Sequence, residues 1–194
     1  MKVEQFVMAY GVEQDRLRAL LPEGFVSLRP VLRINAELRD EGLPGEDTYL
    51  EFNTPVAAEG KRGWLNIAAW HGLRLEREGK TVRLEAPFLT LTWTGVGIEG
   101  GCPAERDNDG CFYPGREPAF RPAERIGENK EFCDCAFAWH FREGDARGRS
   151  EGVTLPAVPE AEETAYERQP LTPENAAAIP CRQVLGCYLV RFER

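Results

Sequence analysis

The stretch Tyr49-Leu-Glu51-Phe-Asn-Thr-Pro55-Val56 sets one carboxylate among apolar and β-prone residues. Its two-residue alternation reads as a strand, with Tyr49, Glu51 and Asn53 on one face and Leu50, Phe52 and Thr54 on the other. A charge that faces a core is expensive unless it is paired or hydrogen-bonded. Glu51 is therefore a site residue if its face is buried, and an ordinary solvated residue if it is not. A structural carboxylate tied to neighbouring backbone, Arg33 or Arg62 is the competing reading.

Working outward, most of the chain reads the same way. Residues 3–10 form a first strand. Residues 12–21 form a short helix with Val12, Leu17, Leu20 and Leu21 as its apolar stripe, stopped by Pro22-Glu-Gly24. A second strand over about 25–38 is interrupted at Pro30, and 40–47 is a loop. After the Glu51 strand comes a hairpin-like turn at 60–63, then a β-prone run, Trp64 to His71. Residues 73–77 and 81–86 flank Glu78-Gly79-Lys80 as a hairpin, and Phe88 to Thr94 is another strand. Residues 95–122 read as a long loop rich in Gly, Pro and acid, a length that is often functional. One strand spans 131–142, with Cys133, Cys135, Phe137, Trp139 and Phe141 sharing a face. A charged turn covers 144–152 and a proline-bearing connection 153–171. Thr172-Pro173 caps a short helix, and 183–192 is the last strand. The expected class is mainly antiparallel β with a few short helices, an α+β domain or a closed barrel, in a single domain over 1–194.

The 194 residues suffice for a real core. Hydrophobic residues make up 42% and charged ones 29%, the balance of a folded chain. The net charge of −8 argues against nucleic acid or an anionic membrane as partner. The N-terminus has no signal-like apolar core, and no run approaches the roughly 18 residues of a membrane span. A cytoplasmic setting with reduced cysteines is expected. Only Lys2, Lys61, Lys80 and Lys130 are lysines, so amine chemistry has few carriers.

Other motifs weigh less. Gly95-Val-Gly97-Ile-Glu-Gly100 fits a dinucleotide pattern but no helix follows it. Asp107-Asn-Asp109-Gly110 reads as an Asx-type turn rather than a calcium loop. Cys133 and Cys135 share a face while His140 has the opposite parity, so buried thiols fit better than zinc. Ser27 and Ser150 are the only serines and neither stands in a hydrolase context. The four tryptophans read as core packing. No cofactor or metal is expected.

The order of features resembles the acetoacetate decarboxylase superfamily. The resemblance rests on Leu20-Leu-Pro22-Glu-Gly-Phe25, a strand carrying Pro30-Val, Tyr49-x-Glu51-x-x-x-Pro55-Val and Gly63-Trp-Leu. It covers about residues 3–70, and more loosely Phe120–Gly144 and the C-terminal strand. It implies an antiparallel sheet curled into a cone or barrel around a small apolar pocket. It also implies homo-oligomeric assembly. Enzymes of that family join a lysine amine to a β-keto acid as a Schiff base, the amine kept neutral by desolvation and a nearby cation. The family's glutamate falls on Glu51, and its N-terminal arginine falls near Val3. The lysine-bearing run is matched by Arg121-Pro-Ala-Glu124-Arg125-Ile-Gly-Glu-Asn-Lys130. The adjacent lysines thus become Glu124 and Arg125, and neither side chain can form an iminium.

Three functions follow as alternatives. The first is an enzyme acting on a small oxo- or hydroxy-acid without a Schiff base. Glu51 would be the acid/base, Arg125 a carboxylate clamp and Lys130 the one fallback amine. Glu124, Asn66 and Tyr49 are its substrate-binding candidates. Asn66 belongs to it only if its strand parity matches that of Glu51. The second is a non-catalytic binder or sensor of such acids on the same fold. The third is an assembly protein using the 95–122 segment for subunit contacts.

Overall fold

The computed structural model describes residues 1–40, 47–95, 99–101, 108–115, 119–124, 129–141, 145–149 and 164–194. Strand β1 (Lys2–Gly11) leads through α1 (Gln14–Arg18) to β2 (Val26–Ser27), β3 (Val31–Asp40), β4 (Asp47–Ala58) and β5 (Lys61–His71). Then come β6 (Arg74–Glu78), β7 (Thr81–Ala86), β8 (Leu89–Thr94), β9 (Glu99–Gly101), β10 (Gly110–Tyr113), β11 (Ala119–Pro122) and β12 (Asn129–Phe132). The order ends with β13 (Asp134–Trp139), β14 (Asp145–Arg149), α2 (Pro173–Ala177) and β15 (Gln183–Glu193).

Ten strands pair in the order β11-β10-β5-β4-β3-β1-β15-β12-β9, with β2 attached to β4. A second sheet runs β14-β13-β8-β7-β6. All pairings are antiparallel except β10 on β5. The mainly antiparallel class with two short helices is therefore as expected. The cone or barrel is not: both strand orders are open paths among the described residues. The apolar face of the large sheet is buried by a second sheet instead of by closure on itself. Phe6, Met8 and Tyr10 of β1, Leu32 and Ile34 of β3, and Leu50 and Phe52 of β4 share one core cluster with Leu84, Leu91, Phe137 and Trp139 of the small sheet.

Local chemistry accounts for the main joints. The β4–β5 hairpin turns at Glu59 and Gly60, both with positive φ, where the sequence suggested a turn at 60–63. A Cβ at Gly63 would lie 2.2 Å from the Gly110 carbonyl oxygen, so β10 can approach β5 only because that side chain is absent. Thr172 accepts from the Asn175 amide at 3.1 Å and Pro173 fills the first turn of α2.

Three expectations need correction. The 95–122 segment contains β9, β10 and β11 rather than being a loop throughout. The single strand over 131–142 breaks at Cys133, whose amide donates to Cys187 O at 3.0 Å, and β12 and β13 join different sheets. The 144–152 turn contains β14, which extends the small sheet through pairing to β13. The loop expected at 40–47 and the first part of the connection expected over 153–171, up to residue 163, fall largely outside the described residues. No helix among the described residues is long and apolar enough to cross a membrane.

Candidate functional site

The strands that bury Phe52 on one face carry a second buried face of opposite character. Gln5, Asn35, Glu37, Glu51, Asn53 and Asn66 are all at most 6% exposed. The register aligns them in cross-strand rows. Tyr188, Val7, Asn35 and Glu51 stand opposite one another across β15, β1, β3 and β4. The neighbouring row is Val190, Gln5, Glu37 and Tyr49. Burying so many polar groups is costly unless each finds a partner, and the partners define the site.

Glu51 lies at its centre. Its Oε1 accepts from the Tyr49 hydroxyl at 2.5 Å, the Tyr113 hydroxyl at 2.8 Å and the Asn66 amide at 3.4 Å. All three donors are neutral and converge on one oxygen. Burial, together with this carboxylate, pushes both phenols above their ordinary pKa, so they remain donors over the whole physiological range.

Asn66 reaches Glu51 because of a bulge. Register runs Glu51↔Ala69 and Phe52↔Ala68, then jumps to Asn53↔Asn66, which leaves Ile67 as the extra residue of β5. A regular strand would have put Ile67 on the Glu51 face; the bulge turns Ile67 to the core and Asn66 to the carboxylate.

Glu37, two residues along β3 from Arg39, is a second buried carboxylate, and it is ion-paired. Arg39 Nη2 lies 2.8 Å from its Oε2, and Arg194 approaches both oxygens at 3.2 and 3.4 Å. Gln5 Nε2 donates to Oε1 at 3.4 Å. Arg39 also lies over the Tyr49 ring, 4.3 Å from its centroid, so this cluster presses on a donor of Glu51. On the other side, Arg33 Nε donates to Asn53 Oδ1 at 2.9 Å and stacks on Trp64. Two buried atoms here, Asn35 Oδ1 and Asn53 Nδ2, have no hydrogen-bond partner among the described residues.

The structure thus brings Glu51, Tyr49 and Asn66 together. Lys130 is on the same face, opposite Val190 in the Gln5–Glu37 row. Three strands lie between it and β4, and its Nζ is over the rings of Tyr188 and Phe132 at 4.7 and 4.9 Å. Glu124 is exposed and paired at 2.6 Å with Arg194, the arginine that also approaches Glu37. Arg125 lies outside the described residues. Of the two arginines weighed as partners of Glu51, Arg33 donates from Nε to Asn53 Oδ1, and the Arg62 backbone amide donates to Asp109 at 2.8 Å.

Sequence reasoning missed Tyr113, Asn35, Gln5 and Glu37. Tyr113 sat in a segment read as loop. The alternation Arg33, Asn35, Glu37, Arg39 against Leu32, Ile34, Ala36, Leu38 was visible, but a polar face of that kind usually meets water. Elsewhere, Cys133 is a buried thiol pushed up to about 11, mainly by burial, which keeps it protonated and inert. No group of three or more His, Cys, Asp or Glu placed to hold a metal occurs among the described residues.

This two-sheet arrangement is shared by solved enzymes. Acetoacetate decarboxylase from Legionella pneumophila superposes with a TM-score of 0.56 at 14% identity, over 98% of this chain and 81% of that one. The chain has the acetoacetate decarboxylase fold. An acetoacetate decarboxylase-like enzyme from Sphingomonas wittichii RW1 matches with a TM-score of 0.54 at 13% identity, over 98% and 88% of the two chains. The enduracididine biosynthesis enzyme MppR, solved in complex with pyruvate, matches with a TM-score of 0.57 at 12% identity, over 98% and 84%. No family model matches the sequence, and no curated protein matches it. The likeness is one of fold.

Proposed function

We propose that the chain binds a small oxo- or hydroxy-acid against the Glu51 face of the large sheet, and that Glu51 exchanges a proton with the bound acid without an iminium intermediate. The observation that carries this reading is the Glu51 carboxylate. It is buried and held by three neutral donors on Oε1, and no donor to Oε2 occurs among the described residues, so Oε2 is the oxygen assigned to a ligand. Holding one oxygen rigidly while the other meets substrate is what a positioned acid/base requires. That MppR, which has the same fold, was solved with pyruvate supports an oxo-acid as ligand.

The Schiff-base route is set aside because the matched positions hold Glu124 and Arg125. Lys130 is the remaining amine on this face, and Arg125 is assigned the carboxylate clamp by its place in the matched run. The homo-oligomeric assembly implied by the resemblance goes with this reading and is tested by light scattering.

Calorimetric titration with pyruvate, acetoacetate and lactate tests binding, and carbon dioxide release or proton exchange tests turnover. Glu51→Gln is expected to lower turnover by about 10²–10⁴-fold while the protein still folds. Borohydride reduction in the presence of acetoacetate should leave Lys130 unmodified; an adduct there would restore the Schiff-base route. A non-catalytic binder or sensor is the second reading. It is favoured by the placement of Lys130 on two aromatic rings instead of beside Glu51. Acid binding with no turnover in wild type supports it, and turnover lost in Glu51→Gln removes it.

A further inference from the structure

Charge pairing on the polar face is uneven. Glu37 is neutralised by Arg39 and Arg194. Glu51, equally buried, has only uncharged donors, and none of the ion pairs among the described residues includes it. A buried carboxylate without a cation is costly, more so in a site of low dielectric. Directly across the β3–β4 pair, Asn35 Oδ1 is buried without a donor. Glu51 Oε2 and Asn35 Oδ1 are thus neighbouring acceptors for which no donor occurs among the described residues. Farther along the face, Lys130 has the opposite imbalance. Its ammonium rests on the Phe132 and Tyr188 rings, and no carboxylate pairs with it among the described residues. Phe132 and Tyr188 belong to the cross-strand row that continues through Val7 and Asn35 to Glu51. Lys130 thus leans toward the row that holds the unpaired carboxylate.

We infer that the acid bound on this face is a zwitterion, with a protonated amine seated on Glu51 Oε2 and Asn35 Oδ1 and its carboxylate held by Lys130. This rests on the proposed acid-binding function and narrows its ligand class to amino-acid-like molecules with well-separated charges. The separation follows from the sheet. Lys130 and Glu51 lie four strand steps apart, about 19 Å along a flat sheet, and two long side chains shorten the gap. An acid as short as pyruvate cannot touch both residues, whereas an ω-amino acid can.

The test uses the intact protein and calorimetry. γ-Aminobutyrate, ε-aminocaproate and ω-aminocaprylate are compared with caproate and hexylamine, with pyruvate as reference. One zwitterion of the series is expected to bind at least about tenfold more tightly than caproate and than hexylamine, the size of a charge-assisted hydrogen bond. Glu51→Gln should abolish the advantage over caproate, and Lys130→Met the advantage over hexylamine. Equal binding of caproate and every zwitterion overturns the inference, as does an advantage that survives both substitutions. If pyruvate binds but no zwitterion gains, this inference falls and the acid-binding function stands. If neither pyruvate nor any other acid binds, both fall. Should Glu51→Gln fail to fold, the wild-type comparison of matched ligands decides alone.

Discussion

The two faces of the large sheet are built from the same three strands and are buried to the same degree, yet they do opposite work. Phe6, Ile34, Leu50 and Phe52 meet the small sheet and are at most 1% exposed. Gln5, Asn35, Glu37 and Glu51, one residue out of phase, are 4–6% exposed on the other side. The first face stabilises the fold by removing apolar area from water. The second gives up part of that stability to hold polar groups, two of them with atoms that have no partner. Near-complete burial on both sides with opposite chemistry separates the stabilising face from the working face.

The largest expected effect lies on the apolar face. Phe52 is fully buried with its ring 4.9 Å from Trp139. Phe52→Ala should cost about 3–5 kcal/mol, read as a lower denaturant midpoint with unchanged m. A loss below about 1 kcal/mol would mean that the two sheets do not pack through this face.

On the polar face the nearest counterpart is Glu37→Ala. It leaves Arg39 and Arg194 without their carboxylate, but those side chains are 19% and 31% exposed and regain water. The cost should therefore fall below that of a fully buried broken pair, at about 2 kcal/mol. Because Arg39 also rests on Tyr49, the same substitution should weaken acid binding, although Glu37 does not touch Glu51. Unchanged binding would confine the Glu37 cluster to a stabilising role.

A smaller effect has the opposite sign. Asn35→Val removes a buried acceptor that has no donor and adds a β-branched residue to a central strand. Thermal unfolding should show stability unchanged or raised by up to about 1 kcal/mol, together with weaker ligand binding. A marked loss of stability would show that Asn35 belongs to the structural inventory. The pair Phe52→Ala and Asn35→Val then separates the faces by sign.

How far the sequence made this legible follows the physics of each part. Period-two alternation exposed the long strands of the large sheet, β1, β3, β4, β5 and β15, and Tyr49-x-Glu51 pointed to the working face. What alternation cannot show is whether the polar side of a strand meets water or other protein. Gln5, Asn35 and Glu37 therefore looked like solvent residues. Asn66 was undecidable because its orientation depends on Ile67 being an extra residue, and a bulge leaves no mark on the local pattern. Tyr113 joins the site through a parallel pairing of β10 on β5, a non-local contact with no short-range signal. Glu124 is exposed and pairs with Arg194, which also holds Glu37, a link that a position matched in sequence does not reveal.

The smallest effect is absent at neutral pH and compares tyrosines on the two faces. Tyr10 on the apolar side and Tyr49 and Tyr113 on the polar side all have phenols pushed above the ordinary value, chiefly by burial. A raised phenol keeps its proton longer in the folded chain than in the unfolded one. Above about pH 10 the unfolded chain therefore binds fewer protons, and stability falls as pH rises. Below that value the phenols contribute no slope. The thiol of Cys133, raised to about 11, adds an earlier loss that begins near the ordinary thiol value of about 9. In a Cys133→Ala background, Tyr49→Phe and Tyr113→Phe should each flatten the alkaline slope above pH 10. Glu51→Gln should flatten it as well, because the carboxylate is part of what holds both phenols protonated. Tyr10, which lacks that carboxylate among its causes, should keep its share of the slope in Glu51→Gln. If Glu51→Gln leaves the slope unchanged, the two phenols and the carboxylate are not one hydrogen-bonded unit, and the polar face loses its centre.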